Sequence, residues 1–439
     1  MLSAFGRAFK TPDLRRKLLF TLGIITLYRL GTFVPTPGVS YTLVEQCVAG
    51  ADTSSGFLGL ANLFSGGAML NISIFALGIM PYITASIITQ LLTVVIPRFE
   101  ELKKEGQAGQ TKMTQYTRYL TIALAVLQSA TLITFARNPS QLFGNPGCTN
   151  ILVDDSMVTI LIMVLTMTAG TGLIMWLGEL ITDKGVGNGM SVLIFTSIAA
   201  YFPTSLWRIK EDSGWDIFLA VIGIGFLIIA LVVFVEQSQR RIPVQYAKRM
   251  VGRQMYGGTS TYIPLKVNMA GVIPVIFASS LIMLPVMIAQ FNTPALGVDP
   301  PQWVQFVNRY FGGEGSHPVY MLTFVALTIF FTFFYVSITF NPTEVADNMK
   351  RYGGFIPGIR AGRPTAQYLA YVLNRITVPG AIYLGLIALI PLIALRVINA
   401  DQNFPFGGTS ILIIVGVGLE TLKQIESQLQ QRHYEGFLK

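Results

Sequence analysis

Few residues in this chain have the type and spacing for covalent or metal chemistry. Its two histidines, His317 and His433, fall in a predicted outer segment and in the C-terminal tail, so they share no site. Cys47 and Cys148 lie in separate predicted outer loops. An oxidising compartment permits a disulfide there, and two isolated cysteines do not require one. Glu179 and Asp183 follow an apolar run with no nucleophile beside them. No HExxH, CxxC or P-loop pattern occurs. The reading is therefore not an enzyme, with no metal and no cofactor.

What does recur is branched apolar side chains at matched places. Gly78-Ile79-Met80-Pro81-Tyr82-Ile83 is echoed by Gly271-Val272-Ile273-Pro274-Val275-Ile276. Gly189-Met190-Ser191-Val192-Leu193-Ile194 is echoed by Gly408-Thr409-Ser410-Ile411-Leu412-Ile413. Together these bring forward Ile79, Ile83, Ile194, Ile276 and Ile413. Ile79 and Ile83, four apart, share one helix face. A ring of such side chains forms a constriction that resists water and ions by dewetting. The bland reading of any one of them is packing or lipid contact; the pairing across echoes is what lifts these five above it.

The elements that must position them follow from composition. Of 439 residues, 52% are hydrophobic and 12% charged, the latter about half the roughly 25% of a soluble domain. One soluble core cannot hide so much apolar surface. This excludes a soluble enzyme, a disordered chain, a disulfide scaffold and a coiled coil. Ten apolar runs are near the roughly 17–25 residues that cross hydrocarbon as helix: about 18–34, 71–96, 116–136, 157–177, 189–205, 217–235, 268–290, 320–340, 377–396 and 408–424. The first is long and no small-residue cleavage site follows it, so no cleavable signal peptide is expected.

Charge sets the orientation. With the N-terminus inside, inner segments hold Arg7, Lys10, Arg15, Arg16, Lys17, Arg98, Lys103, Lys104, Lys112, Arg118 and Lys184. They also hold Arg240, Arg241, Lys248, Arg249, Arg253, Lys266, Lys350, Arg351, Arg360, Arg363, Arg375, Lys423, Arg432 and Lys439. These are most of the 31 basic residues, and the bias puts both termini in the cytoplasm. Both echoes relate runs five apart. Five is odd, so the second half runs upside down relative to the first, the inverted-repeat plan of many transport proteins. The fold class read here is all-α polytopic: ten transmembrane helices in two inverted five-helix halves around a central pore. The expected layout is a 1–17 tail, an N-terminal half 18–205, an outer hinge loop 206–216, a C-terminal half 217–424 and a 425–439 tail.

Three local features stand out. Arg29 sits inside the first run, where it either snorkels to the outer surface or pairs with a partner. Residues Gly56 to Phe64 are apolar but too short to cross, and end in Ser65-Gly66-Gly67. They read as a re-entrant stopper or as a helix lying flat at the interface. The segments 237–267 and 341–376 are long and basic, which suits docking of an acidic partner or anionic lipid. A secondary transporter is the runner-up, but the runs show no polar midplane site.

Several motifs resemble one family. They are Ser65-Gly66-Gly67-Ala68, Ile74 through Ile83, Lys104-Glu105-Gly106, Gln115-Tyr116-Thr117-Arg118-Tyr119 and Gly187-Asn188-Gly189. They continue through Gln239 to Pro243, Tyr246 to Arg249, Pro264 to Asn268, Pro357-Gly358-Ile359-Arg360 and Phe406 to Ser410. In this order they resemble SecY, the central subunit of the bacterial protein-conducting channel. Met190, Pro243-Val244-Gln245 and Met250-Val251-Gly252 resemble actinobacterial members.

The resemblance implies a channel in the bacterial plasma membrane. It passes unfolded secretory chains across and inserts membrane proteins. Ile79, Ile83, Ile194, Ile276 and Ile413 would form the pore ring. The plug would be 56–67, with Phe57, Leu58, Leu60, Leu63, Phe64, Ser65, Gly66 and Gly67. A lateral gate would open between spans two and three and spans seven and eight, with Gln128 and Asn268 as its polar positions. Arg240, Arg241, Lys248 and Arg360 would meet the SecA ATPase or the ribosome. SecE and SecG would be partner subunits, signal-sequence-bearing preproteins the substrates, and membrane lipids the surroundings.

Overall fold

The structure is a computed structural model. It describes residues 9, 11–49, 65–137, 139, 151–154, 156–246, 249–251, 254–256, 260–291, 300–312, 317–398 and 408–437. Its helices, in chain order, are α1 Pro12–Gly31, α2 Tyr41–Ala49, α3 Met80–Val95, α4 Pro97–Lys104, α5 Gln107–Arg137, α6 Met157–Lys184 and α7 Gly189–Gln237. They continue as α8 Ile273–Phe291, α9 Gln302–Val307, α10 Pro318–Thr339, α11 Pro342–Arg351, α12 Arg363–Ile398 and α13 Gly408–Phe437. Each of the ten apolar runs overlaps a helix, the second and seventh only in part, and the fifth and sixth share α7. Among the described residues, five helices are long and apolar enough to cross a membrane, or up to six if the bent pair α3 and α4 is one span.

These helices are apolar on both faces. Leu161, Leu165, Phe226, Leu322 and Phe330 are exposed on the outside, where a soluble protein would place charge. Polar side chains within them satisfy themselves locally. Thr84, Thr89, Thr121, Thr328, Thr332 and Thr377 each donate to the carbonyl four residues back, which satisfies each of these hydroxyls within its own helix.

Helix ends follow local chemistry. Asn188 caps α7 by accepting from Met190 N at 3.1 Å. Pro97 forces Ile96 into an extended conformation, φ −104° and ψ 114°. The chain therefore turns by 99° between α3 and α4.

The two echoed hexamers share one backbone design. Gly78 and Gly271 both adopt left-handed φ, +56° and +60°. Each stands two residues before its helix start, Met80 or Ile273, and proline is the second helical residue in both. The bond from Ile83 N to the Ile79 carbonyl has its counterpart from Ile276 N to the Val272 carbonyl, at 3.1 and 3.3 Å. Nothing lies within 4 Å of where a Cβ at Gly271 would stand. Gly271→Ala is thus expected to cost backbone strain alone, about 1–2 kcal/mol, read as a lowered Tm of the purified chain in detergent.

Three expectations need correction. First, the predicted outer hinge loop 206–216 is helical. α7 runs through it and breaks only at Gly214, φ 81°. Lys210 Nζ lies over the rings of Trp207 and Trp215, 4.0 and 4.4 Å from their centroids, so it bridges the break. Second, the second apolar run becomes α-helix only from Met80; residues 68–79 are turns. Third, the fold is not purely helical. β1 Gln239–Tyr246 pairs antiparallel with β4 Ser260–Lys266, from Gln239 opposite Lys266 to Gln245 opposite Ser260. β5 Gly354–Phe355 adds to the other edge of β1, and the hairpin β2 Arg249–Val251 with β3 Gln254–Tyr256 lies between β1 and β4 in sequence.

Candidate functional site

All five isoleucines singled out by the echoes are buried: Ile79, Ile83, Ile194, Ile276 and Ile413. All five belong to one apolar cluster, although they come from α3 and the turn before it, α7, α8 and α13. None faces outward. Their neighbours in the cluster include Ile87, Leu193, Val275 and Leu412. Branched apolar side chains of this kind favour exclusion of water.

Arg29 pairs rather than snorkels. Its Nη1 donates to the Gly66 carbonyl at 2.8 Å, and its guanidinium lies 5.7 Å from the Phe33 ring centroid. Beside it Tyr28 and Ser197 share a buried 2.7 Å hydrogen bond. Arg29, Phe33 and Gly66 border a cavity of about 220 Å³ that also touches Gly67, Asn71 and Tyr201. Ser65 is buried and its hydroxyl accepts from Met69 N at 3.1 Å. The root of the expected plug, Ser65-Gly66-Gly67, is therefore tied to α1. Phe57, Leu58, Leu60, Leu63 and Phe64 lie outside the described residues. Arg29→Met is expected to cost about 1.5 kcal/mol, the low end for a charged donor that is only half-buried. A Tm lowered in Arg29→Met and largely kept in Arg29→Lys checks this.

Gln128 is half-buried on α5, and Asn268 is buried just before α8. No hydrogen bond joins them among the described residues. Asn268 Nδ2 instead donates to Glu236 Oε1 at 2.6 Å and to the Gly271 carbonyl at 3.0 Å. Glu236 had not been singled out from the sequence. The available signal was a carboxylate one residue past an apolar run, opposite a polar residue opening the next. In the other half, Arg118 makes a double contact to Glu179, 2.8 and 2.7 Å, and braces α5 against α6.

The two long basic segments form one platform. β1 and β4 come from the first and β5 from the second. Ile242, Val244, Leu265, Met349, Ile356 and Leu369 pack beneath. Arg240, Arg241 and Arg360 are exposed on it, and Arg241 lies over the Tyr262 ring at 4.9 Å. Lys248 is outside the described residues. Cys47 is buried and disulfide-bonded; Cys148 is outside the described residues.

The family profile SecY matches residues 73–422. The chain belongs to the SecY family. It is 65% identical to "Protein translocase subunit SecY" of Streptomyces scabiei over 443 residues, covering all of both chains. It is 60% identical to the protein of that name from Mycobacterium tuberculosis over 445 residues, again covering both in full. Among solved structures, it resembles a protein-conducting channel with a TM-score of 0.59 at 18% identity, over 94% of this chain and 91% of that one. It also resembles Sec61 in the canine ribosome-channel complex, with a TM-score of 0.56 at 17% identity and the same coverage. A further SecY structure, TM-score 0.60 at 18% identity over 94% and 91%, concerns a plug domain that stabilises the closed channel and maintains a membrane seal.

Proposed function

We propose that this chain is the protein-conducting subunit of a plasma-membrane translocase. It passes unfolded secretory proteins across the membrane and releases membrane proteins into it. The observation that carries this reading is the isoleucine cluster. Side chains from matched segments of both halves of the sequence belong to one buried apolar cluster. A translocating polymer presents every side-chain type. A charged lining binds some and rejects others, whereas branched apolar groups offer no strong site and close softly around a moving chain.

The finer features of the reading follow. Ten spans form two inverted halves, a plan supported by the shared geometry at Gly78 and Gly271. Both termini are cytoplasmic, in keeping with the basic bias. Residues 56–67 plug the outer side and Arg29 holds their root. The gate opens between α3–α5 and α8–α10, with Gln128 and Asn268 at its polar positions. Arg240, Arg241 and Arg360 on the platform, with Lys248 of the same loop in sequence, receive the SecA motor or the ribosome, and SecE and SecG complete the assembly. The test is reconstitution: the chain with SecE in proteoliposomes should translocate a preprotein when SecA and ATP are supplied. Saturable uptake of a small solute without preprotein transport would instead favour a secondary transporter.

A further inference from the structure

The two halves of the chain meet differently along their cytoplasmic edges. At one place the contact is apolar. Leu14 of α1, Val186 before α7 and Ile425 of α13 form a small buried cluster. A Cβ at Gly187 would stand 3.2 Å from Thr421 Oγ1 of α13, so that joint is close-packed. Between α4 and α10 the joint is polar. Lys103 Nζ donates to the Ile338 carbonyl at 2.9 Å, at the exposed surface and across 235 positions of sequence.

That carbonyl lies in the last turn of α10, where backbone acceptors lack intrahelical donors. A cation there also meets the negative end of the helix dipole. The 99° turn at Ile96-Pro97 lays α4 sideways and brings Lys103 to this end. Neighbouring Lys104 is used otherwise. It pairs with Glu100 at 2.8 Å and holds the Glu100 carboxyl below its ordinary pKa.

We propose that Lys103 is a latch. Its bond to the end of α10 holds shut the cytoplasmic mouth of the seam between α3–α5 and α8–α10, and so sets how apolar a signal sequence must be to part it. The proposal rests on the lateral-gate reading above. An exposed bond exchanges readily with water, so the latch biases the seam without locking it. A strongly apolar signal regains the lost bond many times over in buried surface; a weak one does not.

The test uses the full chain carrying spin labels at Glu101 on α4 and Glu344 on α11, both exposed. Lys103→Met should raise the wide-separation population about two- to five-fold, the range that a cation at a helix C-terminus supplies. Export of a preprotein with a weakened signal should rise in step. Lys103→Arg, which keeps a donor, and Lys104→Met should both match the parent. An unchanged separation in Lys103→Met overturns the latch, and so does a widened separation with unaltered signal selectivity. A cysteine at Gln128 in the otherwise unaltered chain tests the gate separately. If a signal sequence cross-links there, the gate reading stands whichever way the latch falls.

Discussion

Ile413→Asn should make the closed channel leak and should admit preproteins whose signal sequences are defective. Ile413 is 1% exposed and shares its cluster with the other four isoleucines. An asparagine there places an amide among side chains that are nearly all apolar. Burying such a group unpaired costs roughly 1–3 kcal/mol. Opening hydrates the amide and relieves that cost, so the closed-to-open balance should shift by about five- to 150-fold. Ion flux through proteoliposomes and export of a signal-defective preprotein read the two consequences. Ile413→Val is the control. It removes one methylene, stays apolar, and should cost about 0.5–1.5 kcal/mol of stability without opening a path for water. Unchanged leak and unchanged stringency in Ile413→Asn would remove the ring from the mechanism.

The helices were legible because apolar length is a one-dimensional signal, and each of the ten runs overlaps helix. The five isoleucines were legible only through their echo. Five buried isoleucines among many do not announce themselves, but Gly78 and Gly271 repeat the same left-handed turn before the same proline, and that repetition survives in sequence. The sheet was not legible. β1 does alternate, with Ile242 and Val244 inward, but Pro243 interrupts it and its partner β5 lies more than 100 positions later. The helical stretch through 206–213 was hidden for a different reason. Its run of Lys210, Glu211, Asp212 and Ser213 reads as loop. It continues as helix with Trp207 Nε1 bonded to Glu211 at 2.8 Å and Lys210 stacked on two tryptophans. Arg29 and Lys103, which each tie distant parts together, both bond to backbone carbonyls. A carbonyl exists at every position, so no residue type in the sequence marks the partner.

Arg360→Glu should abolish most motor-driven export while leaving the chain folded and inserted. The turn that carries Arg360 is held by its backbone. Thr365 Oγ1 donates to the Arg360 carbonyl at 2.9 Å, and Ile359 N donates to the Ile356 carbonyl at 3.0 Å. Beneath it, Ile356 and Leu369 anchor the turn in the apolar layer under the sheet. The guanidinium itself is exposed, so its reversal disturbs none of this. What it changes is the field: Arg240 and Arg241 share the platform, and Lys350, Arg351 and Arg363 stand nearby in sequence. A glutamate among them repels an acidic docking surface and removes a fork-shaped donor. Loss of a charged contact buried on docking costs roughly 2–5 kcal/mol, at least about thirty-fold in affinity. SecA-dependent transport into inverted vesicles should therefore collapse at low motor concentration and recover as SecA is raised, because mass action refills a weakened site. Recovery separates a docking defect from a blocked pore, which no excess of motor can overcome. Normal transport by the variant at limiting SecA would place the docking surface elsewhere on the cytoplasmic face.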